Sequence, residues 1–413
     1  QGGLGLAQFA LCVLLAFRLS RSLAVALMLG AMAMVVANYR YHLRPEIFAL
    51  LFLVALLLVL TAYQARRDWR VLLWSAPIAL LWANSHGSFL LGPIVCGLFA
   101  LGEGIEALRG KAGAPIRARL RAAAQQAGPF ALASIGTAAL SLANPLGPEL
   151  LRFALTLSAS EVTKRFVSEW TPTLSRDFMT RAPFAIFMGS IATAAAVAVA
   201  FRRRLTATDV LLLLAFGFLA LQRTRFVALF GFVMLAVCAR LIGSGTSRSA
   251  RERPLLVVAI GSAIASIALT LQFGNVWGAF PYRSPSYNFS APMLERLARP
   301  EMNGNVFNSF ELGGELIYRG YPRLRPSIDS RIDSYGDRYF VIHENLLEEP
   351  PLMNEFIADF DVRYMLLLWR DFEWVKRNDG LKQGWRVAFA DHKMVLLERL
   401  SATPTGPPGP VKK

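Results

Sequence analysis

Charged residues are scarce in this chain, and acidic residues are scarcer than basic ones. Of 413 residues, 17% are charged and 54% are hydrophobic, with 28 Asp and Glu against 44 Lys and Arg. Soluble domains usually carry about 25% charged residues. Most of the positive charge lies in short loops between apolar blocks, so the net charge of +16 indicates a membrane topology bias and argues against nucleic-acid binding.

Cysteine is nearly absent, and several motifs of common enzyme classes are missing. Cys12, Cys96 and Cys238 lie inside apolar blocks with no Cys or His at metal-ligand spacing, which argues against a disulfide or zinc framework. The chain has no glycine-rich phosphate loop, which disfavours an ATP-driven transporter. It also lacks the dinucleotide and serine-hydrolase glycine motifs. His343 begins a sequence like that of zinc proteases, but Leu347 occupies the place of its second histidine.

Apolar blocks of about 15–20 residues fill the chain between Leu4 and Phe273. A helix of that length crosses the ~30 Å hydrocarbon layer and satisfies its own backbone hydrogen bonds. Residues 1–274 are therefore predicted to form a transmembrane helical bundle. The ten predicted spans are 4–17, 22–38, 46–63, 71–84, 88–107, 126–143, 182–201, 207–222, 225–242 and 254–273.

The charges between the spans predict the orientation of the bundle. One alternating set of loops is dense in arginine and nearly free of acidic residues, as is typical of cytoplasmic loops. It includes Arg18, Arg21, Arg66, Arg67, Arg70, Arg109, Lys111, Arg117, Arg119, Arg121, Arg202, Arg203, Arg204, Arg240, Arg248, Arg251 and Arg253. The other set is predicted to face outward together with the C-terminal domain. It comprises 39–46, 84–88, 144–181 and 222–225.

The composition changes at about Asn275. Residues 275–400 alternate short helices and strands, which predicts an outward-facing soluble α/β domain. Helices are predicted at 291–300, 311–320, 351–360 and 371–380, strands at 304–310, 325–329 and 362–369, and a hairpin at 385–399. The Pro/Gly-rich tail 401–413 is predicted to be disordered. The predicted fold class is a polytopic α-helical membrane protein, with about ten transmembrane helices and a C-terminal soluble α/β domain.

The first predicted outer loop turns at Pro45 and is crowded with ionisable side chains. These are Arg40, His42, Arg44 and Glu46. An arginine fork suits an anionic phosphate, so Arg44 is a candidate phosphate ligand. The alternative is a set of snorkelling arginines beside an aromatic belt.

Two further outer loops carry candidate ligands. The segment 82–92 places Asn84 and His86 in a tight turn, where the alternative is helix capping by Asn84 and Ser85 beside an exposed His86. Arg223 and Arg225 bracket a turn between two spans, and two cations beside an apolar bundle are costly unless they meet an anion. A lipid phosphate fits them, although the headgroups of ordinary lipid would also serve.

The long outer loop 144–181 contains an amphipathic stretch at 144–153. Two prolines, one glycine and this amphipathicity predict an interfacial helix lying on the membrane. Glu169 and Trp170, near the far end of the loop, would then approach the mouth of the bundle.

The densest polar cluster of the C-terminal domain is 326–339. Asp329 ends a predicted strand and is followed by Arg331 and Asp333. Carboxylates at the C-terminal end of a strand are where α/β domains place ligands. The alternative is an internal Asp–Arg network that holds the loop. Metal binding by Asp329 and Asp333 has no supporting histidine.

Segments along most of the chain resemble a large group of bacterial multi-spanning membrane proteins. These proteins are classed with the GT-C-type glycosyltransferases, the superfamily of the protein O-mannosyltransferases. The segments are LRPEIFALLFL (43–53), LWANSHGSFLLG (81–92), LANPLGPELL (142–151), SEW (168–170), RTRF (223–226), NVFNSFELGGELIYRG (305–320) and SIDSRIDSYGDRY (327–339).

The resemblance implies a sugar donor linked to polyprenyl phosphate, inversion at the anomeric carbon and an active site on the periplasmic face of the bacterial inner membrane. On this basis Arg44, Arg223 and Arg225 bind the donor phosphate, and His86 and Glu169 are supporting catalytic residues. The substrate-binding candidates are Asn84, Trp170, Asp329, Arg331 and Asp333. The lipid bilayer is an implied partner. The need for a divalent metal and the oligomeric state stay open.

One feature of the superfamily is missing from this sequence. Its main catalytic aspartate lies in the outer loop after the first span, whereas no acidic residue precedes Glu46 here, and the first predicted span begins within four residues of Gln1. We therefore expect either that the catalytic loop lies upstream of Gln1 or that the protein never had one, and in both cases an inactive chain as given.

Two hypotheses compete with glycosyl transfer. In the first, a non-enzymatic membrane protein uses its outer α/β domain to bind a partner or an envelope glycan. The second, a secondary transporter, ranks last because ionisable residues are rare in the predicted spans, apart from Glu103 and Glu106 near a helix end.

Overall fold

A computed structural model of the chain describes residues 2–40, 45–110, 113–159, 170–243, 261, 289–329, 331–377 and 384–400. The described residues fall into two compact units. These are a helical unit, which includes 2–243, and an α/β unit, which includes 289–400. The predicted tail 401–413 and, apart from residue 261, the predicted span 254–273 lie outside the described residues.

Helices make up the N-terminal unit. They are α1 (Gly2–Ser20), α2 (Leu23–Ala37), α3 (Glu46–Arg66), α4 (Ser75–Ala83), α5 (Leu91–Gly110), α6 (Ile116–Leu140), α7 (Pro148–Ala159), α8 (Arg176–Met179), α9 (Ala182–Ala200), α10 (Ala207–Gln222) and α11 (Val227–Gly243). Side-chain caps fix several starts. Ser22 accepts from the backbone N–H of Val25 before α2, and Thr206 forms a capping box with Asp209 before α10.

Six described helices are long and apolar enough to cross a membrane, so the prediction of about ten spans is too high for the described part of the chain. The six are Gly3–Ser20, Leu23–Arg40, Glu46–Arg66, Leu91–Gly110, Ala182–Ala200 and Thr224–Gly243. Their length and composition are compatible with a membrane-embedded protein.

Three other predicted spans lie within the described residues, and none of them is among the helices long and apolar enough to cross a membrane. The apolar stretch Trp69–Ala83 begins with a 3-10 turn, and Ala207–Gln222 has 16 residues, so both are short for a crossing. The predicted span 126–143 is the second part of α6. That helix begins with arginines at alternate positions, so its apolar run is shorter than the helix. It also contains Pro129.

The helix α11 lies at the centre of the helical unit. Fifteen of its 17 residues are buried, against α1, α2, α9 and α10 among others. A helix that is apolar all round is stable only when neighbours surround it. Outer helices expose large apolar side chains instead, such as Leu81, Ile94 and Met188. Such exposure suits a hydrocarbon layer better than water.

Short helices and strands alternate in the second unit. They are α12 (Ala291–Ala298), β1 (Gly304–Asn308), α13 (Gly313–Gly320), β2 (Leu324–Pro326), α14 (Ile332–Tyr335), α15 (Asp337–Asn345), α16 (Pro350–Asp359), β3 (Val362–Leu368), α17 (Trp369–Arg377), β4 (Trp385–Ala390) and β5 (Met394–Arg399). The predicted mixture of helices and strands is observed, including the terminal hairpin.

The five strands form one mixed sheet in the order β2-β1-β3-β5-β4. The strand β1 is parallel to β2 and β3, while β5 is antiparallel to β3 and β4. Successive residues of β3 point to opposite faces. Leu366 joins one apolar cluster, and Met365 and Leu367 join the other. After β1, the chain adds β2 on one side of it and then β3 on the other side. The order in which strands are added therefore reverses between β1 and β3.

Gly313 seats α13 against the end of β2. A Cβ at this position would lie 1.8 Å from the carbonyl oxygen of Ile328, which itself accepts from Asn308 Nδ2 at 2.9 Å. We expect Gly313→Ala to lower the free energy of unfolding of this unit by about 1–3 kcal/mol, because the added methyl group overpacks the contact. Gly384→Ala is the control, since its Cβ meets nothing within 4 Å. Equal denaturation midpoints for the two variants would contradict the prediction.

Candidate functional site

The loops predicted to face outward meet at one end of the helical unit. The hydroxyl of Tyr39 donates to the carbonyl oxygen of Thr224. The backbone N–H of Thr224 donates to the carbonyl oxygen of Thr171 at 3.1 Å. Asn84 Nδ2 donates to the carbonyl oxygen of Ala143 at 3.0 Å, which joins the α4–α5 turn to the start of the long loop. The predicted outer loops therefore share one end of the bundle.

A small cleft, with enclosed space for about one water molecule, lies at this end. It is lined by the polar residues Glu46, His86, Ser88 and Arg225 and by the apolar residues Ala49, Leu50, Phe226 and Leu229. The start of α3, the α4–α5 turn and the start of α11 provide the lining. The cleft thus combines a guanidinium, an imidazole and a hydroxyl with an aliphatic and aromatic wall.

The carboxylate in this cleft belongs to a buried ion pair. Arg40 Nε donates to Glu46 Oε1 at 3.3 Å, and its Nη2 makes a second, closer contact with Oε2. Their side chains are 7% and 10% exposed. The pair ties the end of α2 to the start of α3. It neutralises Glu46, and Arg225 is the arginine among the residues that line the cleft. Arg44 lies outside the described residues.

The ring of His86 is oriented through Nδ1. The backbone N–H of Ser88 donates to Nδ1 at 3.1 Å, and Ser88 Oγ lies 2.8 Å from the same nitrogen. Trp82 Nε1 donates to Ser88 Oγ at 3.1 Å. A backbone N–H can only donate, so Nδ1 accepts and the proton of the neutral ring is on Nε2. His86 therefore offers an N–H donor at the cleft.

Asn84 has a capping role in the structure. Its Nδ2 donates to the carbonyl oxygens of Leu80 at 2.8 Å and Ala143 at 3.0 Å. The first bond satisfies an end of α4, and the second holds the start of the long loop. Asn84 therefore has the structural role that the capping alternative predicted.

Trp170 joins the two arginines of the last predicted outer loop. Arg223 Nη1 donates to the carbonyl oxygen of Trp170 at 2.8 Å. The guanidinium carbon of Arg225 lies 4.4 Å from the centre of the Trp170 ring, a cation–π contact. The structure thus brings together three of the predicted site residues and places Arg225 at the cleft. The neighbouring Glu169 lies outside the described residues.

At the arginine-rich loops, the acidic side chains have structural partners. Glu103 accepts from Gln64 at 2.8 Å and pairs with Arg67. Asp209 accepts from Arg240 Nε at 2.9 Å. Glu106 also has a structural role, since it accepts from the backbone N–H at the start of α10. These contacts give Glu103, Asp209 and Glu106 structural roles.

In the α/β unit, Asp329 is the centre of an internal network. Its carboxylate is buried and accepts from Arg331 Nε at 2.9 Å, from Arg331 Nη2 at 2.6 Å and from the Tyr335 hydroxyl at 2.7 Å. Burial raises the pKa of Asp329, but these hydrogen bonds outweigh it, so the pKa is lowered. The same contacts raise the pKa of Arg331, and burial raises that of Tyr335 to about 12. This arrangement is the internal Asp–Arg network that the sequence analysis gave as the alternative to a ligand site in this loop.

The metal hypothesis for this loop has little support in the structure. The side chain of Asp333 lies outside the described residues, and Asp329 already has its oxygens occupied. Among the side chains that the structure describes, no group of three or more His, Cys, Asp or Glu is placed to hold a metal ion.

His343, which begins the incomplete zinc-protease-like sequence, is a buried titratable group. Its Nε2 lies 2.8 Å from Ser327 Oγ, and its ring stacks on Phe307 with centroids 4.7 Å apart. The Nδ1 atom is buried and has no hydrogen-bond partner among the residues that the structure describes. Burial lowers the pKa of His343 from 6.5 to about 3. The ring is therefore neutral at physiological pH.

Comparison with known proteins adds no assignment. No protein-family model matches the chain, and no curated protein matches it. The resemblance to GT-C-type enzymes stays a prediction carried by the segments quoted above.

Proposed function

We propose that the chain is a membrane-embedded protein of the GT-C glycosyltransferase type that binds a polyprenyl-phosphate-linked sugar donor at the outer face. The cleft at the end of the helical unit is the proposed site of the donor phosphate. The observation that carries the proposal is the placement of Arg225 in a cleft with an apolar wall. An amphiphilic lipid phosphate requires both features together.

Arg225 is the proposed phosphate ligand, and His86 is the proposed second donor. Guanidinium N–H groups and an imidazole N–H form charge-assisted hydrogen bonds to phosphate oxygens. Arg223 and Trp170 have a supporting role. Arg223 donates a hydrogen bond to the carbonyl oxygen of Trp170, and the ring of Trp170 makes a cation–π contact with Arg225. The carboxylate of Glu46 is neutralised by Arg40 and so does not repel the anion.

We expect Arg225→Ala to weaken binding of polyprenyl phosphate by roughly tenfold or more, since a charged hydrogen bond contributes about 1.5–3 kcal/mol. Arg225→Lys should retain part of the affinity, because lysine keeps the charge but lacks the planar fork. The measurement is equilibrium binding of a polyprenyl phosphate to the full chain in nanodiscs, which requires no catalytic step.

Arg152→Ala is the matched control for this measurement. Arg152 lies in α7 with a side chain 79% exposed and pairs with Glu149 on the surface. Its loss should leave polyprenyl phosphate binding unchanged. Equal affinity of the Arg225→Ala variant and the unmodified chain would refute the proposed donor site.

The second candidate, a binding protein without enzymatic activity, is favoured by one feature of the α/β unit. Ser309 and Asp371 lie at the carboxyl ends of β1 and β3, where the winding of the sheet reverses, and such switch points hold ligands in many α/β domains. Ser309 Oγ and Asp371 are hydrogen-bonded to each other, and Arg370 pairs with Glu311 beside them. A glycan that binds here would displace these contacts, and Asp371→Asn would then weaken glycan binding without changing polyprenyl phosphate binding.

A further inference from the structure

The helix α7 is amphipathic, and the proposed donor site does not include it. Leu150 and Ala154 pack against the core of the helical unit. Glu149 and Arg152 have side chains 66% and 79% exposed. At 3.6 residues per turn, these two pairs lie on opposite faces of the helix. The inner face is therefore seated on the bundle, and the polar face points away from it.

Large apolar side chains lie along both borders between these two faces. Phe153 is 37% exposed and Leu155 is 55% exposed, and the helical period places them on opposite borders. Leu146, in the turn before α7, is 61% exposed. The apolar surface of α7 is thus wider than the strip that the bundle covers. A wide apolar surface below a charged face is typical of helices at the boundary between lipid headgroups and acyl chains.

The position of α7 along the bundle fits this boundary. Asn84 ties the end of α4 to Ala143, shortly before α7. The helix α3 begins at the same end with Glu46, and its 21 residues rise about 30 Å, which matches the hydrocarbon layer. The first residue of such a span lies at the edge of that layer, so the lipid surface is within reach of α7.

We infer that α7 lies in the headgroup region of the bilayer, with its apolar borders among the upper acyl chains. It thereby holds the His86 turn and the cleft at the depth of the lipid phosphates. A lipid layer is the occupant that the geometry favours, because apolar side chains flank both sides of a helix whose inner face is already covered. The inference rests on the proposed membrane embedding and is independent of sugar transfer.

The depth of spin labels in the full chain tests this inference. Nitroxide labels are placed at Phe153→Cys and Arg152→Cys, and the chain is reconstituted in phosphatidylcholine–phosphatidylglycerol vesicles. The native cysteines are buried at 0% exposure and should take up no label, which the unmodified chain verifies. We expect the label at 153 to lie about 5–10 Å below the lipid phosphates and to collide with oxygen more than with a water-soluble nickel complex. The label at 152 should show the opposite preference.

A label at Met188→Cys, an exposed position within α9, separates failure of the inference from failure of membrane embedding. If the label at 188 is deep and the label at 153 is as accessible to nickel as the label at 152, the inference is overturned and the embedding stands. Shielding of the label at 153 from both reagents indicates a protein cover and also overturns it. A label at 188 that is accessible to nickel overturns both. Leu146→Cys provides a second apolar position if Phe153→Cys does not fold.

Discussion

Glu46→Gln should be among the most destabilising single substitutions in the helical unit. The change removes the carboxylate that pairs with Arg40, and both side chains are at least nine-tenths buried. Removal of one member of a buried ion pair costs about 3–5 kcal/mol, because the remaining charge loses the carboxylate that pairs with it in a medium of low polarity. The expected result is a large loss of thermal stability of the purified chain in detergent, measured by size-exclusion chromatography after heating.

The double variant Arg40→Met with Glu46→Leu is the control for this prediction. When both charges are replaced by apolar side chains of similar volume, the stability should recover most of the loss, because no buried charge remains. Glu149→Gln is a second control, since its pair with Arg152 is exposed and contributes about 0–1 kcal/mol. A loss for Glu46→Gln no larger than that for Glu149→Gln would contradict the buried-pair assignment.

The α/β unit should lose stability in acid because of His343. The pKa of this residue is lowered from 6.5 to about 3 by burial, so the unfolded chain binds a proton below pH 6.5 that the folded chain does not bind. The stability is fully present above pH 6.5 and falls by about 1.4 kcal/mol per pH unit below it. The expected loss is about 2 kcal/mol between pH 6.5 and 4.5, measured by hydrogen exchange of β1 and β3 in the full chain.

His343→Gln separates this effect from other titrations. Glutamine keeps a hydrogen-bonding group near Ser327 but takes up no proton, so the stability of the variant should no longer fall between pH 6.5 and 4.5. Burial raises the pKa of the neighbouring Glu344, which adds stability as the pH falls toward 4.5 and therefore acts in the opposite direction. Asp329 also has a lowered pKa, and its contribution is lost as the pH falls through that lowered value, below this window. A variant with the same acid sensitivity as the unmodified chain would show that another group is responsible.

The sheet of the α/β unit was predictable from local pattern to an unusual degree. Alternation and turn residues predicted β1, β3 and the hairpin close to their observed bounds, because the strands are short and bordered by Gly, Asp or a helix start. The number of spans was less predictable. Apolar content alone does not separate a crossing helix from a short one such as α4, whose extent depends on the 3-10 turn before it.

The candidate site also has features that were predictable from the sequence and features that were not. The residue types and the charge asymmetry of the loops predicted which loops share one end of the bundle, and Arg225 and His86 were named from the sequence. Glu46 was noted only as part of a crowded turn. Its place in the cleft and its pair with Arg40 depend on the packing of α2 against its neighbours, which no local pattern encodes.

The apolar blocks, the basic and polar sets of loops and the α/β character of the C-terminal part could all be predicted from the amino-acid sequence. These follow from composition and short-range periodicity, which act within one helix or strand. The roles of single polar residues became clear from the packed chain: Asn84 caps a helix, Asp329 is hydrogen-bonded to Arg331 and Tyr335, and Arg225 contacts the ring of Trp170. The physical reason is that a polar side chain acquires its role from the partners that burial brings to it. For Asn84 and Arg225, those partners lie more than 50 residues away in the chain.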